Sequence, residues 1–248
     1  MARNKLSSQK KISFIIPAKN ENFGLKVCIE LLALYVDDLA EIIIVVESIN
    51  DSSVVAVKNV KLSRNVKLSV TLNRFTKGVT GSIQTGIIQA KGDYVFIYPA
   101  DEINPIFELN NFAHKLDLGF DLVSATRYSK GGLRLGVGSF SGNILSKVVA
   151  QCVICITKGR LSDLSTGIKA FNKHRIQIPT KAFSKSGWSF PMEIELRALK
   201  AGKKIVEVPI MSVDRPFGGQ SSYQPVSWII GYLKVVIKVL LSNRALNN

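Results

Sequence analysis

Along the first half of the chain, short strand-like runs, most of them unbroken stretches of apolar residues, are separated by segments with helical spacing. The runs are KISFIIP (11–17), EIIIVVE (41–47), VKLSVTLN (66–73), DYVFIYP (93–99) and DLVSATR (121–127). Between them, ENFGLKVCIELLALYV (21–36), DSSVVAVKNVKL (51–62), TGSIQTGIIQA (80–90) and PIFELNNFAHKLDLG (105–119) read as helices. A strand that is apolar throughout has to be covered on both faces. Strands of that kind, each followed by a helix, predict an α/β, Rossmann-like, doubly wound and mostly parallel sheet.

Beyond Arg127 the pattern changes. YSKGGLRLGVGSFSG (128–142) is glycine-rich and basic without an apolar period, and is expected to be a loop. NILSKVVAQCVICI (143–156) reads as an apolar helix, LSDLSTGIKAF (161–171) as a turn entering a strand, and PMEIELRALKAGKK (191–204) as a helix with Gly202 as a stop signal. IVEVPIMSV (205–213) reads as a further strand. In VSWIIGYLKVVIKVLLSNR (226–244), Lys234 and Lys238 interrupt the apolar run one helical turn apart. That tail reads as an interfacial amphipathic helix, with Trp228 and Tyr232 near the boundary, or as a C-terminal helix packed on the domain. The division that follows is one domain over 1–222 and a C-terminal helical elaboration over 223–248.

Charge narrows the partners. The 248 residues hold 33 Lys and Arg against 18 Asp and Glu, a formal charge of +15. Such a surplus points to anionic partners: nucleic acid, an anionic membrane surface or phosphorylated small molecules. Basic residues interleaved with exposed aromatics, the pattern of a nucleic-acid surface, do not occur, so no nucleic-acid partner is expected. Cys28, Cys152 and Cys155 are too few for a disulfide framework, and the C-x-x-C lies in an apolar stretch, so no zinc or redox role is assigned. The basic N-terminus leads into a strand rather than a signal-peptide core, which fits reducing, cytoplasmic surroundings. His114 and His174 belong to no ligand or catalytic pattern.

In open α/β sheets, ligands bind at the carboxyl ends of the strands, beside the point where strand order reverses. The five strand ends carry Asn20 and Glu21, then Glu47 and Asp51, then Arg74 and Lys77, then Asp101 and Glu102, then Arg127. Carboxylates by themselves repel a phosphorylated ligand. A divalent cation between carboxylate and diphosphate reverses the sign, while Arg and Lys take up the remaining phosphate charge. Asp101 is placed to hold such a cation. The plainer reading of Asp101 and Glu102 is an acidic start to the helix that Pro105 opens.

The ordered set of motifs goes further. IIPAKNE (15–21), EIIIVVESINDSS (41–53), NRFTKGVTGSIQTGIIQAKGDYVFIYPADE (73–102), DLVSATRYSKGG (121–132), SDLSTGIKAF (162–171), SFPMEIELRALKAGKKIVEVPI (189–210) and DRPFGGQSS (214–222) span nearly the whole chain. Together they resemble the family 2 glycosyltransferases of GT-A fold, most of all the dolichol-phosphate mannosyltransferase and polyprenyl-phosphate glycosyltransferase branch. The resemblance implies a nucleotide pocket lined by Pro17, Ala18, Asn20, Glu21, Glu47, Lys77 and Gly78. It implies a Mg²⁺ or Mn²⁺ held by Asp101, with Glu102 as a recruit. It also implies that Arg127 and Arg134 face the diphosphate and the acceptor phosphate, with Lys169 where relatives often carry Arg. Two departures stand out. Pro99 replaces the first Asp of the metal motif, and Glu47 replaces the Asp of the nucleotide turn.

The expected activity is inverting transfer of a sugar from a GDP- or UDP-linked donor to a polyprenyl- or dolichyl-type lipid phosphate. The protein would then sit in the cytoplasm, peripheral on the inner face of a membrane, with the helices 143–156 and 223–248 as docking surfaces. Two alternatives stand beside it. Transfer to a saccharide or protein hydroxyl would need a base, for which Asp163 and Glu193 are the candidates. A catalytically impaired module that only binds nucleotide sugars is the other.

Overall fold

The computed structural model describes residues 10–62, 65–135, 154–155, 157–178, 188–213, 232, 234–239 and 241. Its strands are β1 (Ile12–Pro17), β2 (Leu39–Val46), β3 (Lys67–Leu72), β4 (Tyr94–Ile97), β5 (Leu122–Thr126), β6 (Leu133–Leu135), β7 (Lys169–Asn172), β8 (Ile205–Pro209) and β9 (Met211–Val213). The helices are α1 (Phe23–Tyr35), α2 (Ser52–Lys58), α3 (Val79–Gln89), α4 (Leu109–Asp117) and α5 (Ser189–Lys200). A 3₁₀ turn, Asn104–Glu108, leads into α4 with Pro105 in its first turn, where a missing N–H does no harm. Gly202, at φ +70°, ends α5 as expected: Lys203 N–H reaches back to the Ala198 carbonyl over 3.0 Å.

Seven strands form one sheet in the order β3-β2-β1-β4-β7-β5-β8. All neighbours are parallel except β7, which runs against both β4 and β5. The expected doubly wound, mostly parallel sheet is therefore present, with one reversed strand inside it. Successive residues of β1 show why its apolar run is unbroken. Phe14 and Ile16 enter a core layer with Leu25, Ile29 and Phe112 of α1 and α4, while Ile15 enters the opposite layer with Ile83, Phe190 and Ile194 of α3 and α5.

Two expectations are corrected. The stretch 128–142 is not loop throughout: its residues 133–135 form β6, which pairs in parallel with β9. The single strand expected over 205–213 is two strands in two sheets. Pro209 closes β8, and Ile210 then pivots, donating its N–H to Thr126 and accepting from Leu133 N–H, both at 2.9 Å. Proline has no N–H with which to prolong the ladder.

A small third core joins Leu161, Leu164, Met192 and Leu196 to Val235 and Val239 of the terminal helical residues. Lys200 Nζ also donates to the Val239 carbonyl at 2.9 Å. These contacts pack Val235 and Val239 on the domain, while Ile237 and Leu241 of the same helical residues are 55% and 80% exposed. The boundary at 222/223 and all but Ile154 and Cys155 of the helix expected at 143–156 lie outside the described residues. Among the described residues no helix is long and apolar enough to cross a membrane.

Candidate active site

The strand order places β1 between β2 and β4, so the chain leaves β1 to one side for β2 and β3 and returns to the other for β4. Open α/β sheets take their ligands in the crevice above such a reversal, at the carboxyl ends of the strands. Pro17 and Ala18 close β1 and are buried, with Ala18 N–H on the Val45 carbonyl at 2.9 Å. The next turn needs a left-handed residue, and Asn20 supplies it at φ +55°. Its N–H donates to Asp51 Oδ1 at 2.9 Å, and the N–H of Glu21 to Ser53 Oγ at the same distance. Asp51 also caps α2 through Ser53 N–H. Burial alone would push the Asp51 carboxyl up, but hydrogen bonds from Ser53 and Asn20 and the charge of Lys19 hold it below its ordinary range. Thus Asp51 brackets the β1 and β2 ends together.

Glu47 was expected to touch the nucleotide. Its Oε1 instead accepts from Gly78 N–H at 2.9 Å and from Asn73 Nδ2 at 2.8 Å, tying the loop 73–78 to the end of β2. Any ligand contact by Glu47 would have to share a carboxylate already engaged in that task. Gly78, at φ +105°, is a position where a side chain would be strained. A Cβ on Gly81 would lie 1.9 Å from the Thr76 carbonyl oxygen, so the loop rests directly on the first turn of α3. Lys77 is exposed at the rim of this loop. Gly81→Ala should therefore shift the loop or destabilise the fold by about 1–3 kcal/mol. Thermal unfolding together with nucleotide-sugar titration checks this: a fully stable variant with unchanged affinity would contradict it.

At the end of β4, Asp101 and Glu102 are both partly exposed, and Glu102 Oε1 accepts from Ser212 Oγ at 2.8 Å. Their charge is felt locally. Burial, then Asp101, Glu102 and Glu21, push the Cys28 thiol up, and burial followed by Cys28, Glu102 and Asp101 pushes the buried Tyr98 hydroxyl up as well. Pro99, in the place of the missing carboxylate, packs instead. A Cβ on Gly167 would lie 3.2 Å from Pro99 Cγ and 2.6 Å from the Trp188 ring.

On the far side of the crevice, Arg127 forks onto Asp163, with Nε to Oδ2 at 2.8 Å and Nη2 to Oδ1 at 3.2 Å, and Nη2 also reaches Ser165 Oγ at 2.6 Å. The guanidinium stacks 5.4 Å from the centre of the Tyr128 ring. Glu207 of β8 holds the Asp163 loop in turn, accepting from the N–H groups of Ser162 and Asp163 and from Ser162 Oγ. Burial would raise the Asp163 carboxyl, but Arg127 and Ser165 hold it below the ordinary range; burial opposes the Arg127 charge, and Asp163 more than offsets it. Because the folded-state pKa values of Asp51 and Asp163 lie below their unfolded ones, their stabilisation is complete above about pH 4 and is lost as pH falls further. Denaturation profiles in acid should show that loss, and Asp163→Asn should flatten its share.

Lys169 calls for a correction. Its ammonium is fully buried under β7, 2.5 Å from Glu195 Oε2 and 2.5 Å from Ser124 Oγ. The strand register sets it opposite Ile97 and Ser124, and the side chain turns toward α5 rather than the crevice. The base candidates of the hydroxyl reading fare alike. Asp163 is locked on Arg127, and Glu193 is buried on α5 with Arg197 Nη2 at 2.7 Å and Lys238 Nζ at 3.5 Å. Arg134, by contrast, is brought to the site: it is exposed and shares a register position with Ser212, the residue that holds Glu102. Asn73, Gly81, Glu207 and Ser212 were not singled out by the sequence. Only Asn73, at the end of β3, lay where a search of strand ends could have found it.

Comparisons with known proteins agree with this architecture. A sequence profile described as glycosyl transferase family 2 matches residues 13–146. The undecaprenyl-phosphate 4-deoxy-4-formamido-L-arabinose transferase of Photorhabdus laumondii is 23% identical over 213 residues, covering 84% of this chain and 62% of its own length. The protein of the same description from Klebsiella pneumoniae strain 342 is 25% identical over 218 residues with the same coverage. The chain thus spans about three fifths of the length of these relatives. Among solved structures, glucosyl-3-phosphoglycerate synthase from Mycobacterium tuberculosis superposes with a TM-score of 0.64 in its complex with Mn²⁺, UDP and glucosyl-3-phosphoglycerate, at 17% identity, covering 94% of this chain and 79% of that one. Its complex with Mg²⁺ and UDP gives 0.65 at 16% identity, covering 94% and 78%. Those likenesses concern the fold, which is GT-A. With the profile matching more than half its length, the chain belongs to glycosyl transferase family 2.

Proposed function

We propose that the protein transfers a sugar, with inversion, from a nucleotide-sugar donor to a polyprenyl-type lipid phosphate. The observation that carries this reading is the Arg127–Asp163 fork. Asp163 is ionised, buried and engaged by Arg127, so it is not available to take a proton from an acceptor hydroxyl. A phosphate acceptor arrives already ionised at neutral pH and needs cations to position it rather than a base. The exposed Arg134 is the group that would meet it, while Arg127, forked onto Asp163, would hold the loop beside it. The relatives' names, which specify undecaprenyl phosphate, support the same acceptor class.

On this reading the Pro17–Glu21 turn and the 73–78 loop, held by Asp51 and Glu47, form the walls of the nucleotide pocket, and Lys77 offers its ammonium to the diphosphate. Asp101, with Glu102, would hold Mg²⁺ or Mn²⁺. Their hard carboxylate oxygens, adjacent at the end of β4, suit such an ion. Among the described residues no group of three metal-ligating side chains gathers, so donor phosphates would complete the coordination. When bound, the cation offsets charge on the departing diphosphate. An oxygen of the lipid phosphate bonds to the anomeric carbon as the bond to the diphosphate breaks, and the protein's part is to align the two and exclude water. A peripheral position on the cytoplasmic, inner face of a membrane goes with this acceptor, and the charge of +15 favours anionic headgroups.

The reading is tested by incubating purified protein with UDP- and GDP-linked labelled sugars, Mg²⁺ or Mn²⁺, and either undecaprenyl phosphate in micelles or soluble saccharides. Label in the lipid fraction is expected. Label reaching only soluble acceptors would overturn the proposal.

A further inference from the structure

The β6–β9 ribbon is built inside out. In a two-stranded ribbon resting on a domain, alternate residues ordinarily turn apolar side chains inward and polar ones to water. Here the inward residue is Ser212, 1% exposed and hydrogen-bonded to Glu102. The register pairs Leu133 with Met211 and Leu135 with Val213, so these four share the opposite face. Leu133, Leu135 and Met211 are 43%, 46% and 45% exposed. The ribbon is nonetheless firmly seated: Ile210 bonds to both Thr126 and Leu133, and a Cβ on Gly132 would lie 2.7 Å from the Arg127 backbone.

We propose that this outer face is the surface by which the protein docks on an anionic lipid bilayer. The inference rests on the lipid-phosphate reading, and two observations favour this occupant. The ribbon lies against the acidic turn at the end of β4 through the Ser212–Glu102 bond, with the register position of Arg134 on that same face. A lipid phosphate keeps its headgroup at the bilayer surface, so the lip of the site must reach that depth. The same stretch carries Lys130, exposed and three residues before Leu133, in a chain of charge +15. A cation beside an apolar strip matches headgroups above acyl chains.

The test uses the full chain and vesicles of phosphatidylcholine with and without phosphatidylglycerol. The wild type should float with the anionic vesicles, and the triple variant Leu133→Ser, Leu135→Ser, Met211→Ser should bind them about tenfold more weakly or worse at an unchanged melting temperature. Leu135→Trp should be quenched by lipids brominated in the acyl chain, beyond the background of Trp188 and Trp228. Vesicle binding by the triple variant equal to wild type, no vesicle binding by the wild type, or an indole reporter at position 135 that stays unquenched would each overturn the inference. If the triple variant does not fold, the quenching result decides. Loss of a dimer in the triple variant with vesicle binding intact would assign the face to a second copy and also overturn it. Transfer to undecaprenyl phosphate in detergent micelles separates the two claims: if it persists while docking fails, only the docking surface is wrong.

Discussion

Asp101→Asn is expected to lower sugar transfer by about 10²–10³-fold, with the unfolding midpoint nearly unchanged. The side chain is partly exposed at the end of β4, where an isosteric change removes charge without opening a cavity. What it removes is the carboxylate that would hold the cation. With Pro99 in the place of a second acid, no neighbour two residues earlier can substitute. Initial rates across a range of Mg²⁺ and Mn²⁺ concentrations supply the measurement. Turnover at the wild-type rate would mean that the reaction centre lies elsewhere. A loss of turnover accompanied by a large drop in melting temperature would instead make Asp101 a structural residue.

Lys169→Met should be among the most destabilising single changes, by about 3–5 kcal/mol at neutral pH. Both partners of the Lys169–Glu195 pair are fully buried, so removing the ammonium strands a carboxylate in the core. Burial already pushes the Glu195 carboxyl up even with Lys169 beside it, and the variant pushes it further. A folded-state pKa raised above the unfolded one stabilises below the unfolded value, near pH 4, and that contribution is lost as pH rises through the folded value. The defect should accordingly be smallest in mild acid and grow toward neutrality, as read by denaturant titration at several pH values. Adding Glu195→Leu should recover most of the loss, because a buried pair replaced by packed apolar groups is often neutral. The double variant also tests the corrected role of Lys169. It should keep its affinity for lipid phosphate, whereas an ammonium that touched the acceptor would leave the recovered protein stable but unable to bind it.

The strands β1, β2, β4 and β5, the helices between them and the edge on which the site lies follow from local information. Unbroken apolar runs demand cover on both faces, and helical spacing between them demands crossovers, so Asn20, Glu47, Lys77, Asp101 and Arg127 had to emerge on one side. The reversed strand β7 was not legible, since KAF entering a sheet from the opposite direction leaves no mark on periodicity. Nor was the break at Pro209, because a run of alternating apolar residues reads the same whether it belongs to one strand or to two in different sheets.

What a charged side chain does was decided by its neighbours in space. Lys169 and Arg134 are equally cationic on paper, yet one is matched to Glu195 in the core and the other is exposed on β6. Glu47 lies at a strand end, but its carboxylate meets Gly78 and Asn73 from 31 and 26 residues away. Sequence alone determined where β1, β2, β4 and β5 end and which residues surface there, because those depend on hydrophobic period and chain direction. Only the tertiary structure determined which of those charges are already neutralised, because pairing depends on distances between segments that the order of residues does not encode.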